Sequence, residues 1–240
     1  MTCATFHKIA IRLGVAGLLL LGLATGAWGG YEALFRDAKA AAWAIYVRSP
    51  GGMNAICSAS AFKSTTTDTY LLTAGHCFVG TDMRRTDFLV TQDHRNFVKA
   101  HMVKSGFGLK QRAKQDSSDL DDYEGDDWAV IRAEVGNQAV LPFGKSRDLV
   151  IGEDIVIVGV PFGMDFLAVQ GIVGSLDLSL SRLVWNHYYG GNIYSAGGNS
   201  GSGVISTKQK AIIGLVNAGP GGQSSMMIFM PIDKLPADVR

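Results

Sequence analysis

Cysteine is scarce in this chain: three among 240 residues, at positions 3, 57 and 77. That count excludes a small disulfide-dense scaffold, and no second pair of ligands at metal spacing accompanies Cys57 and Cys77 to make a zinc site. An excess of charge of one sign is also missing. Lys and Arg number 22 against 21 Asp and Glu, for a net charge of +1 and a pI near 7.7, so neither nucleic acid nor an anionic membrane surface is an expected partner. The cluster Lys99, His101, Lys104, Lys110, Arg112 and Lys114 reads as a solvated face. The acidic run from Asp116 to Asp127 lacks the ligand spacing and the closing glutamate of an EF-hand. No metal and no cofactor are therefore expected. Internal repeats, low-complexity tracts and an appended PDZ-like domain are not visible either.

Long apolar runs are limited to one, Leu13 to Leu23, behind His7, Lys8 and Arg12 and ahead of the small residues Thr25-Gly26-Ala27. This is the layout of a signal peptide cleaved near Ala27. A retained membrane anchor is the rival reading, because no charge falls between Arg12 and Glu32, although the run is short and glycine-broken for a spanning helix. A buried core helix fits worse, since the flanks lack caps. Residues 1–27 are thus expected to be a signal peptide or anchor and 28–240 the folded domain, exported to the periplasm or beyond, with membrane association only if the segment is retained.

Helical periodicity is nearly absent after a short candidate helix from Tyr31 to Ala44. What is present is a series of short β-type segments divided by turn residues: Trp43 to Val47, Ile56 to Phe62, Tyr70 to Ala74, Phe88 to Thr91, Val98 to Val103, Trp128 to Arg132, Ile155 to Val160, Phe166 to Val173, Arg182 to His187, Gly203 to Ser206, Ala211 to Asn217 and Met226 to Met230. Such a pattern argues an all-β barrel or sandwich. The turn-rich stretch Gly136 to Asp148 is the expected divide between two halves.

Three stretches carry candidate chemistry. Gly197-Gly198-Asn199-Ser200-Gly201-Ser202-Gly203-Val204 holds a serine in a glycine-rich turn; alone it reads more readily as an ordinary Gly/Ser hairpin loop. Leu71-Leu72-Thr73-Ala74-Gly75-His76-Cys77 places a histidine after an apolar strand, and Asp126-Asp127-Trp128-Ala129-Val130-Ile131 a carboxylate at the head of another. A serine hydroxyl is a poor nucleophile at neutral pH and needs a base and oxyanion donors. Imidazole suits the base because its pKa lies near neutrality.

These stretches resemble the trypsin-like (chymotrypsin-fold) serine peptidases, in particular bacterial members such as the HtrA-like and glutamyl endopeptidases. Thr73 to Cys77 is similar to the family's Thr-Ala-Ala/Gly-His-Cys, Asp127 to Ile131 to its Asp-x-Ala-Leu/Val-x, and Gly198 to Gly201 to its Gly-Asn/Asp-Ser-Gly. The order His, Asp, Ser is the one this fold carries. The likeness runs from about Ala42 to Pro231.

The resemblance implies two six-stranded antiparallel β-barrels, about 42–138 and 149–235, with the active site in the cleft between them. It implies His76 as general base, Asp127 as its orienting carboxylate, and Ser200 as nucleophile, with Gly198 and Ser200 N–H groups as the oxyanion hole. Asp126 competes with Asp127, and Ser195, Ser202 and Ser206 with Ser200; His94, His101 and His187 lack comparable context. It further implies a Cys57–Cys77 disulfide, for which a pair of buried free thiols is the alternative. Asn199 replaces the aspartate with which animal trypsins bind a newly cut N-terminus, so that activation is not expected. The primary pocket would involve Tyr194, Val216, Asn217 and Ala218. Tyr194 stands where trypsins have an aspartate and Val216 where glutamyl endopeptidases have a histidine, so an apolar or small side chain is expected before the scissile bond. A serine endopeptidase acting on proteins or peptides is the function implied. A non-catalytic exported peptide-binding protein of the same fold, and an esterase using the same nucleophile, are the alternatives.

Overall fold

The computed structural model describes residues 31–49, 52–79, 88–110, 120–178, 186–219 and 223–240; the segment 1–27 and most of the acidic run's first half lie outside them. A helix, α1, covers residues 31–41. It is shorter than the sequence pattern gives, because strand β1 already begins at Ala42.

The first closed barrel takes β1 (Ala42–Ser49), β2 (Gly52–Ser64), β3 (Thr69–Thr73), β4 (Phe88–Thr91), β5 (Val98–Ser105) and β8 (Ala129–Ala133), paired in the order β1-β2-β3-β8-β5-β4. Between β5 and β8 lies a two-stranded ribbon, β6 (Gly108–Leu109) with β7 (Tyr123–Glu124), too short to show in the sequence. The second closed barrel takes β9 (Asp154–Gly159), β10 (Leu167–Leu178), β11 (Tyr188–Ala196), β12 (Gly203–Ser206), β13 (Ala211–Ala218) and β14 (Gln223–Pro231), in the order β10-β11-β14-β13-β12-β9. All pairings within both barrels are antiparallel. The expected all-β, double-barrel architecture is the one observed.

The Asp154–Gly159 sequence, Asp-Ile-Val-Ile-Val-Gly, explains how the barrels join. Ile155 and Ile157 point into the second barrel's core with Val204, Ile213 and Phe229, whereas Val156 and Val158 join the cluster that contains Leu71, Leu72 and Ile131. A strand buried on both faces needs a continuous apolar run, since successive side chains alternate between faces.

One expected strand moves. Arg182 to His187 is not where the element lies: residues 182–185 fall outside the described set, His187 sits at φ 55, and the strand is β11, Tyr188–Ala196. Its Gly190-Gly191 pair weakens any β signal in the sequence. In the fold a Cβ on Gly190 would come within 2.7 Å of Leu178 Cδ1 and one on Gly191 within 3.1 Å of Ile193 Cγ2, so larger residues there would make these side chains shift.

Cys57 on β2 and Cys77 after β3 are joined by a disulfide, with Cα atoms 6.1 Å apart and 20 residues between them in sequence. The bridge ties β2 to the turn that bears His76. Replacing both cysteines by serine is expected to lower stability by about 2–5 kcal/mol, read from the denaturant midpoint. Reductant should loosen the histidine turn before the barrels unfold. Two reactive thiols in exported, denatured protein would contradict the bridge.

Candidate active site

His76 sits in a 3-10 turn, Gly75–Phe78, directly after β3. Gly75 is required there by close approach: a Cβ would overlap Phe107 and stand 3.1 Å from the Trp128 carbonyl. The turn delivers two donors to one carboxylate. The His76 backbone N–H donates to Asp127 Oδ1 at 2.8 Å, and His76 Nδ1 lies 2.7 Å from Asp127 Oδ2. An ionised carboxylate can only accept, so Nδ1 carries the proton and Nε2 presents a lone pair. Nε2 is 3.0 Å from Ser200 Oγ, with the hydroxyl placed to donate.

Asp127 is fully buried, and it is held from the second barrel as well. Its N–H donates to the Tyr188 phenol oxygen at 2.9 Å, and its carbonyl accepts the Asn217 side-chain amide at 2.7 Å. Asn217 in turn accepts the Met230 N–H at 2.8 Å. Burial, the largest influence on Tyr188, pushes its phenol far above the ordinary range, so it stays neutral. Asp126 faces away, paired with Lys234 at 2.8 Å on the partly exposed surface.

For His76, burial is the largest single influence and disfavours the imidazolium, but the Asp127 charge and hydrogen bond together outweigh it. The pKa therefore rises above the ordinary imidazole value. An imidazole so placed holds a proton more readily than a free one does.

Ser200 is flanked by Gly198 at φ 97 and Gly201 at φ 84, left-handed conformations that favour glycine. Any Cβ at Gly201 would overlap the Ser58 carbonyl and Thr73 Oγ1. The Ser200 carbonyl accepts the Ser58 N–H at 2.8 Å, and the Gly201 N–H donates to the Val216 carbonyl at 2.7 Å. Among the described residues, the N–H groups of Gly198 and Ser200 donate to no protein acceptor. Ser202 is fully buried, and its hydroxyl has no protein partner among the described residues.

Beside Ser200 opens a cavity of about 220 Å³ lined by Ser195, Ala196, Gly197, Ser200, Val216, Ala218 and Gly219. Val216 and Ala218 stand where the sequence places them. Tyr194 does not: alternation along β11 turns it outward, 38% exposed, and gives the lining to Ser195. Asn217 turns inward to Asp127 instead of into the cavity. The lining carries no charge. His76, Cys57 and Cys77 bring potential metal-ligand atoms within 4.8 Å of one another, but the disulfide occupies both sulfurs, so this group does not fit a metal centre.

Ser58, Tyr188 and Asn217 are the site residues whose contacts sequence reasoning misses. Ser58 had one signal, its place next to Cys57; Tyr188 had none.

Two closed antiparallel barrels with a His–Asp pair on the first and a serine on a glycine loop of the second define a chymotrypsin-type protein. The chain belongs to the family of the trypsin-like peptidase domain, whose profile matches residues 57–215. It is 27% identical over 169 residues to a probable periplasmic serine endoprotease, DegP-like, of Halomonas elongata, covering 69% of this chain and 31% of the relative. A protein of the same description from Hahella chejuensis is 28% identical over 153 residues, covering 61% and 32%. The chain thus spans about a third of the length of these curated relatives. Among solved structures, the HtrA-type protease AlgW with a tripeptide superposes with a TM-score of 0.65 at 19% identity, over 85% of this chain and 60% of that one. Deg5 superposes with a TM-score of 0.61 at 17% identity, over 86% and 90%. At such identities these two structures speak to the fold alone.

Proposed function

We propose that the protein is an exported serine endopeptidase that hydrolyses peptide bonds through an acyl-enzyme on Ser200. The observation that carries this reading is the continuous chain Asp127 Oδ2, His76 Nδ1, His76 Nε2, Ser200 Oγ, with links of 2.7 and 3.0 Å. His76 takes the hydroxyl proton as Ser200 attacks the carbonyl, and returns it to the leaving amine. Asp127 holds the tautomer and stabilises the imidazolium. The Gly198 and Ser200 N–H groups receive the oxyanion. A water then repeats the sequence to release the acid.

The uncharged, small-residue cavity supports a small or apolar side chain before the scissile bond. Protein or peptide chains are the proposed substrates, in keeping with the peptide in the AlgW structure. Export is supported by the relatives' description as periplasmic and by the disulfide, with residues 1–27 as leader or anchor and 28–240 as the peptidase domain.

Labelling with a fluorophosphonate, followed by amide and ester turnover and peptide-library profiling, tests the reading. Stoichiometric labelling, amide cleavage and a preference for Ala, Val or similar residues are expected. An unlabelled protein would leave a binding role, ester turnover alone an esterase, and cleavage after Lys, Arg or Glu would overturn the pocket assignment.

A further inference from the structure

Ser58 is fully buried on β2, and its polar groups reach across the junction between the barrels. Its N–H donates to the Ser200 carbonyl at 2.8 Å. Its hydroxyl donates to the Gly198 carbonyl at 2.8 Å and accepts the Val160 N–H at 3.0 Å. Its own carbonyl accepts the Thr73 hydroxyl at 2.7 Å, at the end of the strand that leads to His76. One residue of the first barrel thus grips the nucleophile loop of the second at two carbonyls, that of Ser200 through its backbone N–H and that of Gly198 through its hydroxyl.

We infer that Ser58 is a positioning residue for the oxyanion hole, holding Gly198 so that its N–H faces the substrate. The loop would otherwise be easily reoriented, because Gly197 and Gly198 are adjacent and glycine rotates with little steric penalty. Two clamps oppose that rotation. The Phe162 N–H holds the Gly197 carbonyl at 2.6 Å, and in a planar trans peptide this points the Gly198 N–H the opposite way. Ser58 Oγ then holds the next carbonyl, that of Gly198. Through Val160 the same hydroxyl anchors the segment that supplies Phe162. Losing it releases the Gly198 carbonyl and loosens the Gly197 clamp together, while His76, Asp127 and the cavity wall keep their contacts.

The inference rests on Ser200 being the nucleophile, and the test separates the two. Ser58→Ala is compared with the parent protein and with Ser60→Ala. Ser60 is a matched control: a buried hydroxyl on the same strand that accepts the Gly203 N–H of the second barrel at 2.9 Å, beyond the nucleophile loop. Measurements are made well below the melting transition of each variant. They comprise fluorophosphonate labelling, kcat and KM on a peptide amide, and affinity for a peptide aldehyde of the same sequence, whose adduct with Ser200 places an oxyanion in the hole.

Ser58→Ala is expected to lower kcat by about 10- to 100-fold, less than the complete loss of one oxyanion donor. Aldehyde affinity should fall by a similar factor, KM should stay within about twofold, and the acid limb of the pH profile should not move. Ser60→Ala should lower the melting temperature comparably but leave kcat within about twofold. Unchanged kcat in Ser58→Ala, or an equal loss in Ser60→Ala, would overturn the assignment. A parent protein that neither labels nor cleaves would instead refute Ser200 as nucleophile and end this inference with it.

Discussion

Ser200→Ala is expected to fold with an unchanged melting temperature, lose fluorophosphonate labelling entirely, and lose about 10⁶-fold in kcat. The fold should not notice, because the Ser200 contacts that hold the loop are made by its backbone: the carbonyl accepts the Ser58 N–H, and the neighbouring Gly201 N–H binds the Val216 carbonyl. The hydroxyl contributes one side-chain bond, to His76 Nε2. His76→Ala should cost comparably, since a hydroxyl without its base is not a nucleophile at neutral pH. Ser202 is the discriminating control. It lies two residues along the same loop but is sealed from solvent, and its hydroxyl has no hydrogen-bond partner among the described residues, so Ser202→Ala should label and turn over like the parent protein. Labelling retained in Ser200→Ala and lost in Ser202→Ala would shift the nucleophile by two residues.

Much of this was legible in the residues because the relevant signals are local. β4 and β12 lie at the bounds read from the sequence, Phe88–Thr91 and Gly203–Ser206, because short apolar segments between turn residues announce themselves. The residues His76, Asp127 and Ser200, which the structure brings together, are each singled out within stretches of six to eight residues. Failure began where an element contradicts its own propensity. β11 carries Gly190-Gly191, which weaken its strand signal, and a reader of propensities places the strand too early. The cavity lining is missed for another reason: Tyr194 is taken from the position of the trypsins' aspartate, whereas on β11 it is Ser195 that lines the cavity.

The contacts that lock the site were illegible for a different reason. Ser58 meets Gly198 across 140 residues, Asn217 meets Asp127 across 90 and Tyr188 meets Asp127 across 61. Such pairings exist only once two closed barrels are juxtaposed. A single serine, asparagine or tyrosine in a strand carries no mark of the partner that it will find.

Asp127→Asn is expected to leave the protein folded and to lower turnover by about 10⁴-fold. The backbone of residue 127 stays anchored by Tyr188 and Asn217, so the strand should keep its place. The side chain, however, must satisfy two donors, the His76 N–H and the His76 Nδ1–H, and an amide offers one acceptor. The backbone N–H cannot change its character, so the amide oxygen turns to it and the NH₂ faces Nδ1. Nδ1 must then become the acceptor, which moves the ring proton to Nε2 and aims it at Ser200 Oγ. The base is lost through its tautomer while every heavy atom remains in position. Loss of the charge has a second, separable signature. Asp127 raises the His76 pKa against the opposing effect of burial, so in the variant the pKa should fall and the acid limb of any residual activity should move to lower pH. Asp126→Asn breaks a partly exposed pair with Lys234, worth about 0–1 kcal/mol, and should leave both turnover and the pH profile in place. Turnover and pH profiles of the two variants decide between the adjacent aspartates. A large loss in Asp126→Asn with a mild one in Asp127→Asn would mean that neither the tautomer nor the charge of residue 127 governs the histidine.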